Sequence, residues 1–234
     1  MSKLEHIGII MDGNRRWAKA NGLLNPQEGH DKGADIFVDV CDWCIQSKIQ
    51  HMTVYALSTE NLKRSQIEVT HIFNLLEKFF TDRIDQCIRE GIRIRIIGDR
   101  TMLSEKTRSI IKDAESRTAQ CSKLYVQIAL AYGGRNEITR AVRALANDVS
   151  QNKIKITEIT EEVFSSYLDT AGIPDVDLVV RTGGAENRRL SNFLPWQTVY
   201  SEFYFSDLLW PEFSQDELKK AVDYYASIPR KHGS

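Results

Sequence analysis

No stretch of the sequence approaches ~20 consecutive apolar residues, so no membrane-spanning helix is expected. No secretory leader is expected either. MSKLEH runs straight into an apolar strand without the longer apolar region of a signal peptide, and a cytoplasmic location is the expectation. There is no excess charge of either sign: 31 basic and 32 acidic residues leave a formal net charge of −1. So balanced a chain gives no reason to expect a nucleic-acid partner. Cysteines are few. Cys41 and Cys44 form a CxxC, but the second ligand pair of a zinc site is missing, and so is the strand-to-helix setting of a redox motif. Core packing is the better reading, because free cysteine is habitually buried. Neither GxxxxGK[ST] nor GxGxxG occurs, which disfavours a P-loop NTPase and a dinucleotide-binding domain. No internal repeat or low-complexity segment is found.

What is present is 234 residues with 42% hydrophobic content, enough for one substantial core. Apolar runs at 6–11, 51–57, 92–98, 124–132, 177–182 and 203–207 read as strands. IRIRIIG (92–98) alternates and suits a position nearer an edge. Helical patterns fall at 29–48, 66–90, 104–121, 136–149, 160–170 and 214–227, the last opened by a capping-box pair, Ser214 and Glu217. Alternating strands and helices imply one α/β domain over 1–234, with a central, mostly parallel six-stranded sheet flanked by helices.

In such sheets ligands bind beyond the carboxyl ends of the strands. Here those ends read MDGNRRW, ALSTENLKR, AYGGRNE and RTGGAENRRLSNF. Their glycines, among them Gly13, Gly133, Gly134, Gly183 and Gly184, let backbone N–H groups approach an anion. Arg15, Arg16, Arg64, Arg135, Arg181, Arg188 and Arg189 offer positive charge and bidentate phosphate recognition. Ser58, Ser191 and Asn192 add neutral donors, and Asp12 and Glu202 are possible oxygen ligands for Mg2+. Any single arginine is as readily a solvated surface charge, and any single glycine a turn. The clustering at several strand ends is what favours a site for more than one phosphate group.

The motifs HIGIIMDGNRRWA, GH at 29–30, YALSTENLKR, IRIIGDR, AYGGRNEI, DLVVRTGG, RLSNFLPWQ and SEFYFSDLLWPEF follow one another over roughly residues 5 to 213. In that order they resemble the cis-prenyltransferase family, of the undecaprenyl diphosphate synthase type. The resemblance implies an enzyme that condenses isopentenyl diphosphate with an allylic prenyl diphosphate, forming Z double bonds and growing the chain in an apolar channel. By the same resemblance Asp12 handles Mg2+ and departure of the diphosphate. Gly13, Asn14, Arg15, Arg16, Trp17 and His30 cradle the allylic diphosphate, and Arg181, Arg189 and Ser191 bind isopentenyl diphosphate. Glu202 is the second metal-associated carboxylate. Ser58, Asn61 and Arg64 belong to a loop near both substrates, with Asn61 helping to orient condensation or proton loss. Ile72, Phe73, Leu76, Phe79 and Phe80 are candidates for the channel wall, although an apolar helical stripe is as often ordinary core. A homodimer, a basic RKHGS tail reaching a partner's site, and peripheral membrane contact through a lipid product complete what the resemblance implies.

Four departures from the family pattern surround the substrates. Asn25, Pro26, Gln27 and Glu28 stand where an arginine is usual. RTGGAENRRLSNF carries two extra residues and the extra Arg188, which is read as offsetting that missing cation. Leu62 replaces a common tryptophan and Ala131 a common asparagine. These changes leave open a short-chain or irregular-coupling enzyme on the same fold. A non-catalytic prenyl-diphosphate-binding subunit is disfavoured by the presence of Asp12, Asn14, His30, Arg181, Arg189 and Glu202.

Overall fold

The chain opens in the middle of its sheet. In the computed structural model, which describes residues 3–184 and 187–229, β1 (His6–Ile10) pairs with β2 (His51–Ser58) on one side and β5 (Leu178–Arg181) on the other. With β3 (Ile92–Ile97), β4 (Leu124–Tyr132) and β6 (Glu202–Phe205) the sheet has the order β3-β4-β2-β1-β5-β6, and every pairing is parallel. A sheet covered on both faces needs strands apolar on both sides. Accordingly all five residues of β1 are buried.

This strand order has a switch point at β1. The chain leaves β1 toward β2 and later returns on its other flank as β5, so a crevice opens beyond the carboxyl ends of these strands. Register aligns the ends: Ile10 is level with Tyr55 of β2 and with Arg181 of β5. Residues that follow Ile10 therefore emerge beside Arg181.

Among the described residues seven α-helices surround the sheet. They are α1 (Asn14–Ala20), α2 (Gln27–Gln46), α3 (Gln66–Glu90), α4 (Glu105–Arg117), α5 (Gly134–Ser150), α6 (Glu161–Ser165) and α7 (Gln215–Ser227). On α2 the buried Ile36, Phe37, Val40, Cys41 and Cys44 recur at three- and four-residue spacing, the stripe of a helix lying on a sheet. Each fully buried aliphatic side chain of that core contributes roughly 1.5–3 kcal/mol. Cys41 and Cys44 are free and buried, and loss of hydration pushes the Cys44 thiol up to about 12. They pack, as their composition suggests.

The edge expected for IRIRIIG is observed, since β3 is the outer strand with Arg93 exposed. Two helical expectations are corrected, and one helix, α1, is present where none was expected. The seven-residue α1 has no apolar stripe and buries only Ala18. It forms because α2 supports it: Gly29 lies so close that a Cβ there would stand 2.0 Å from the Asn14 carbonyl oxygen. The helix expected over 160–170 stops at Ser165, because the next turns are tied elsewhere. The Asp169 N–H donates to Glu137 and its carboxylate accepts from Arg140. The helix expected to 121 ends at Arg117, where Thr118 accepts the Ile94 N–H of the edge strand. Among the described residues no helix is long and apolar enough to cross a membrane.

Candidate active site

Asp12 follows β1 and is fixed by its backbone as much as by its side chain. Its N–H donates to Thr182 Oγ1 (3.0 Å), and its carbonyl accepts from the same hydroxyl (2.8 Å) and from the Trp210 N–H (3.0 Å). The carboxylate is held between two guanidinium groups. Arg16 Nη2 donates to Oδ1 (3.2 Å), and Arg181 Nη2 donates to Oδ2 (2.8 Å). Arg16 also donates to the Gly183 carbonyl at 2.6 Å. Gly183 is at φ 113°, and a Cβ there would stand 2.8 Å from Arg16 Nη2 and 3.0 Å from Asp12 Cβ. Only glycine fits both that backbone and that contact. Arg181 further donates to Ser191 Oγ (2.6 Å) and to the Arg189 carbonyl. β5 thus joins the MDGNRR and RLSNF segments, which lie far apart in sequence.

A second cluster gathers around a residue that the sequence reading passed over. Glu68, in the first turn of α3, accepts from Arg64 (2.8 Å), stands 3.4 Å from Arg15, and lies 3.6 Å from His30 Nε2. The last distance is too long for a hydrogen bond. Burial holds the His30 pKa below the ordinary histidine value, and the Glu68 charge opposes that shift only in part. The available sequence signal was a helix-start pattern, Ser65-x-x-Glu68. Ser65 does accept the Glu68 N–H, while the carboxylate turns to the cations. Asn61 donates its backbone N–H to Ser58 Oγ (3.0 Å), and with its amide oxygen turned to Arg64 accepts from Nη2 (3.0 Å).

Most of these groups, though not Glu68, Thr182 or Gly183, line one cavity of about 870 Å³. Its walls include Asp12, Gly13, Asn14, Arg15, Arg16, His30, Ser58, Asn61, Arg64, Arg181, Arg189 and Ser191. Its other side is apolar, with Leu23, Phe37, Val54, Ile72, Leu76 and Phe79. Three buried polar atoms in the lining lack any hydrogen-bond partner: Asn14 Oδ1, His30 Nε2 and Arg181 Nε. Buried polar atoms are nearly always satisfied, so these three are available to a ligand in the cavity.

Not every candidate is gathered there. Trp17 is half-buried on α1 and Arg188 is exposed, and neither lines the cavity. Residues 185–186 and the tail from 230 lie outside the described residues, so the RKHGS segment does too. Glu202 opens β6 in register with Leu178, three positions before the level of Arg181, and is also off the lining. Within one chain it does not share the cavity with Asp12. Of the proposed wall residues, Ile72, Leu76 and Phe79 line the cavity; Phe73 and Phe80 do not, and Phe80 is packed into the core. Among the four departures, Ala131 has a physical reading. Its φ is 49°, a left-handed backbone that asparagine tolerates better than alanine.

The family model described as putative undecaprenyl diphosphate synthase matches residues 10–233. The chain belongs to that family. It is 43% identical to an isoprenyl transferase of Agrobacterium fabrum, over 98% of this chain and 92% of that protein. A tritrans,polycis-undecaprenyl-diphosphate synthase (geranylgeranyl-diphosphate specific) of Thermoplasma volcanium is 42% identical, over 97% and 88%. Among solved structures, lavandulyl diphosphate synthase from Lavandula x intermedia, in complex with dimethylallyl diphosphate, superposes with a TM-score of 0.94. It is 33% identical and 99% of each chain is covered. A probable undecaprenyl diphosphate synthase from Campylobacter jejuni gives a TM-score of 0.81 at 33% identity, covering 100% of both.

The protein is therefore an enzyme of the isoprenyl transferase family, a cis-prenyltransferase. A prenyl diphosphate is an anionic head on an apolar tail, and the cavity has that same division between a cationic end and an apolar end.

Proposed function

We propose that the enzyme condenses isopentenyl diphosphate with an allylic prenyl diphosphate and forms a Z double bond at each addition. The observation that supports this best is the single cavity in which arginines and unpartnered polar atoms give way to an apolar wall. In this reading Gly13, Asn14, Arg15, Arg16 and His30 receive the allylic diphosphate, with Trp17 behind them on α1. Arg181, Arg189 and Ser191 receive isopentenyl diphosphate, and the Ser58–Asn61–Arg64 segment faces both. Arg188 lies outside the lining between Asn187 and Arg189, which are in it, so a role for it requires its own side chain to turn toward the substrate.

Mg2+ is part of the proposal. Among the described residues Asp12 is the one carboxylate of the lining, and both its oxygens are already paired with guanidinium groups. Among the described residues no group of three or more His, Cys, Asp or Glu could hold a metal. This donor set fits an ion carried mainly by substrate phosphates with one protein carboxylate, which is how Mg2+ is commonly bound. When bound, it would stabilise the charge of the departing diphosphate. The protein's own part is electrostatic. Arg16 and Arg181 stand ready to exchange the Asp12 carboxylate for phosphate oxygens, in a site where fixed donors need no reorganisation. Glu202 would join such a metal only from a second chain of a homodimer, the assembly we also propose. Peripheral contact with a membrane would follow from a long lipid product.

The test is a product assay. Purified protein is incubated with Mg2+, labelled isopentenyl diphosphate and, separately, dimethylallyl, geranyl, farnesyl and geranylgeranyl diphosphates. Dephosphorylated products are resolved by length and double-bond geometry. Z-elongated products that vanish in Asp12→Ala are expected, and no condensation with any primer would overturn the reading. The likeness to a lavandulyl diphosphate synthase supports a second reading, a short-chain or irregular-coupling reaction on the same fold. A branched or single-addition product would select it.

A further inference from the structure

Asn192 follows Ser191 in the RLSNF segment, yet it is off the cavity lining. Its amide is engaged with two other loops instead. Oδ1 accepts the Arg135 N–H (2.9 Å) in the first turn of α5, and Nδ2 donates to Glu60 Oε1 (3.0 Å) just past β2. Its backbone carbonyl accepts the Gly134 N–H (2.8 Å). One residue therefore ties together the loops that follow β2, β4 and β5. The three are in close contact: a Cβ on Gly133 would stand 2.6 Å from Thr59 Oγ1 and 2.8 Å from Asn192 Nδ2. Thr59 strengthens the tie, its N–H donating to the Tyr132 carbonyl (2.9 Å) and its hydroxyl to Glu60 Oε2 (3.2 Å).

The RLSNF segment needs this support. Ser191 (φ 51°), Asn192 (φ 66°) and Leu194 (φ 48°) all have left-handed backbones. That conformation is costly for residues with a side chain and persists only where the surroundings hold it. One half of the segment is held by burial: Phe193 and Leu194 are fully buried, and the Phe193 ring stacks on Tyr55 at 4.9 Å. The other half, Arg189 and Ser191, is exposed at the cavity. Asn192 stands between the two halves.

We infer that Asn192, anchored on Glu60, is a positioning residue for isopentenyl diphosphate: it holds Ser191 and Arg189 against Arg181 and touches no substrate itself. The inference rests on the functional reading above, in which Arg181, Arg189 and Ser191 receive that diphosphate. Ser191 Oγ meets Arg181 at 2.6 Å only while the left-handed turn is kept. Released from the clamp, the segment would present its donors in many geometries, and the anion would have to order them on binding. The anchor is a carboxylate, which makes the bond from Asn192 a charge-assisted one.

Four variants test this. Asn192→Gly suits the left-handed backbone and removes the amide. Asn192→Asp keeps the acceptor for the Arg135 N–H but sets a second carboxylate against Glu60. Both should raise KM for isopentenyl diphosphate by about 10-fold, while KM for the allylic primer changes by less than about 2-fold. Adding Glu60→Gln to Asn192→Asp lets the new amide donate to the new carboxylate, and should bring KM back to within about 3-fold of wild type. Glu60→Gln alone keeps an acceptor oxygen and should fall nearer to wild type than Asn192→Asp does. A wild-type KM for isopentenyl diphosphate in Asn192→Gly would overturn the inference. So would equal rises in KM for both substrates, or failure of Glu60→Gln to rescue Asn192→Asp. If wild type condenses no primer, the functional reading falls instead. Calorimetric titration of the same proteins with isopentenyl diphosphate alone would then decide the inference by the same loss and rescue.

Discussion

Replacing Asp12 with asparagine keeps its shape and removes the charge that two guanidinium groups share. The Arg181 side chain is only 6% exposed, whereas Asp12 is 30% and Arg16 is 42% exposed. Removing one partner of a fully buried ion pair costs about 3–5 kcal/mol, and an exposed pair contributes about 0–1 kcal/mol. Arg181 keeps Ser191 Oγ and the Arg189 carbonyl as acceptors, and Asp12 is partly hydrated. The Arg181 share is therefore about 2 kcal/mol and the Arg16 share under about 1 kcal/mol. For a chain of this length a loss of ~2–3 kcal/mol lowers Tm by about 4–12 °C. Urea and thermal unfolding followed by circular dichroism would read it, with an unchanged urea slope showing that the folded state is otherwise intact. Inorganic diphosphate without metal supplies the second arm. A ligand at 100 times its Kd stabilises by about 2.7 kcal/mol. Asp12→Asn should gain more from a given diphosphate concentration than wild type, where the anion must first displace a carboxylate. Equal gains, or an unfolding midpoint that does not fall, would refute the view that Asp12 occupies the arginines in the free enzyme.

The same logic applies to Glu68. Glu68→Gln should bind metal-free diphosphate about 10-fold more tightly by calorimetry, or about 1.4 kcal/mol, because Arg64 and Arg15 lose a competing anion; weaker binding would mean that Glu68 serves mainly to position them. Gly29→Ala should destabilise by about 3 kcal/mol or more in urea, since its Cβ would stand 2.0 Å from a backbone oxygen that cannot yield without displacing α1. That displacement should also weaken diphosphate binding. His6 is buried against the Pro174 carbonyl (2.7 Å) and Thr53 Oγ1 (2.8 Å), and loss of hydration lowers its pKa from 6.5 to about 4. The unfolded chain takes up the proton first, so this contribution is complete above pH 6.5 and is lost as the pH falls toward 4. It amounts to about 3 kcal/mol, and His6→Gln should flatten that part of the stability–pH curve.

Local pattern carried much of the fold. Strands buried on both faces, such as HIGII, have little choice but the interior of a parallel sheet, and alternating helices follow from the crossovers such a sheet needs. α1 was not legible, because NRRWAKA has no apolar stripe and is helical only on the support of Gly29. The early end of α6 was hidden for a similar reason: the hydrogen bond that Asp169 donates to Glu137 and the one it accepts from Arg140 outweigh local propensity there.

At the site, the sequence by itself determined the inventory: a carboxylate, glycines and arginines at strand ends, in an order that marks the family. Tertiary structure decided who meets whom. Strand register sets Arg181 beside Asp12 across a separation of 169 residues, and the approach of α3 to α1 and α2 makes Glu68 a common partner of Arg15 and Arg64. It also divided the apolar stripe of α3, sending Phe79 to the cavity wall and Phe80 to the core. Periodicity shows that a helix has an apolar face, but neighbouring positions on that face differ in what packs against them, and only the packing of two helices on the sheet leaves one of them facing open space.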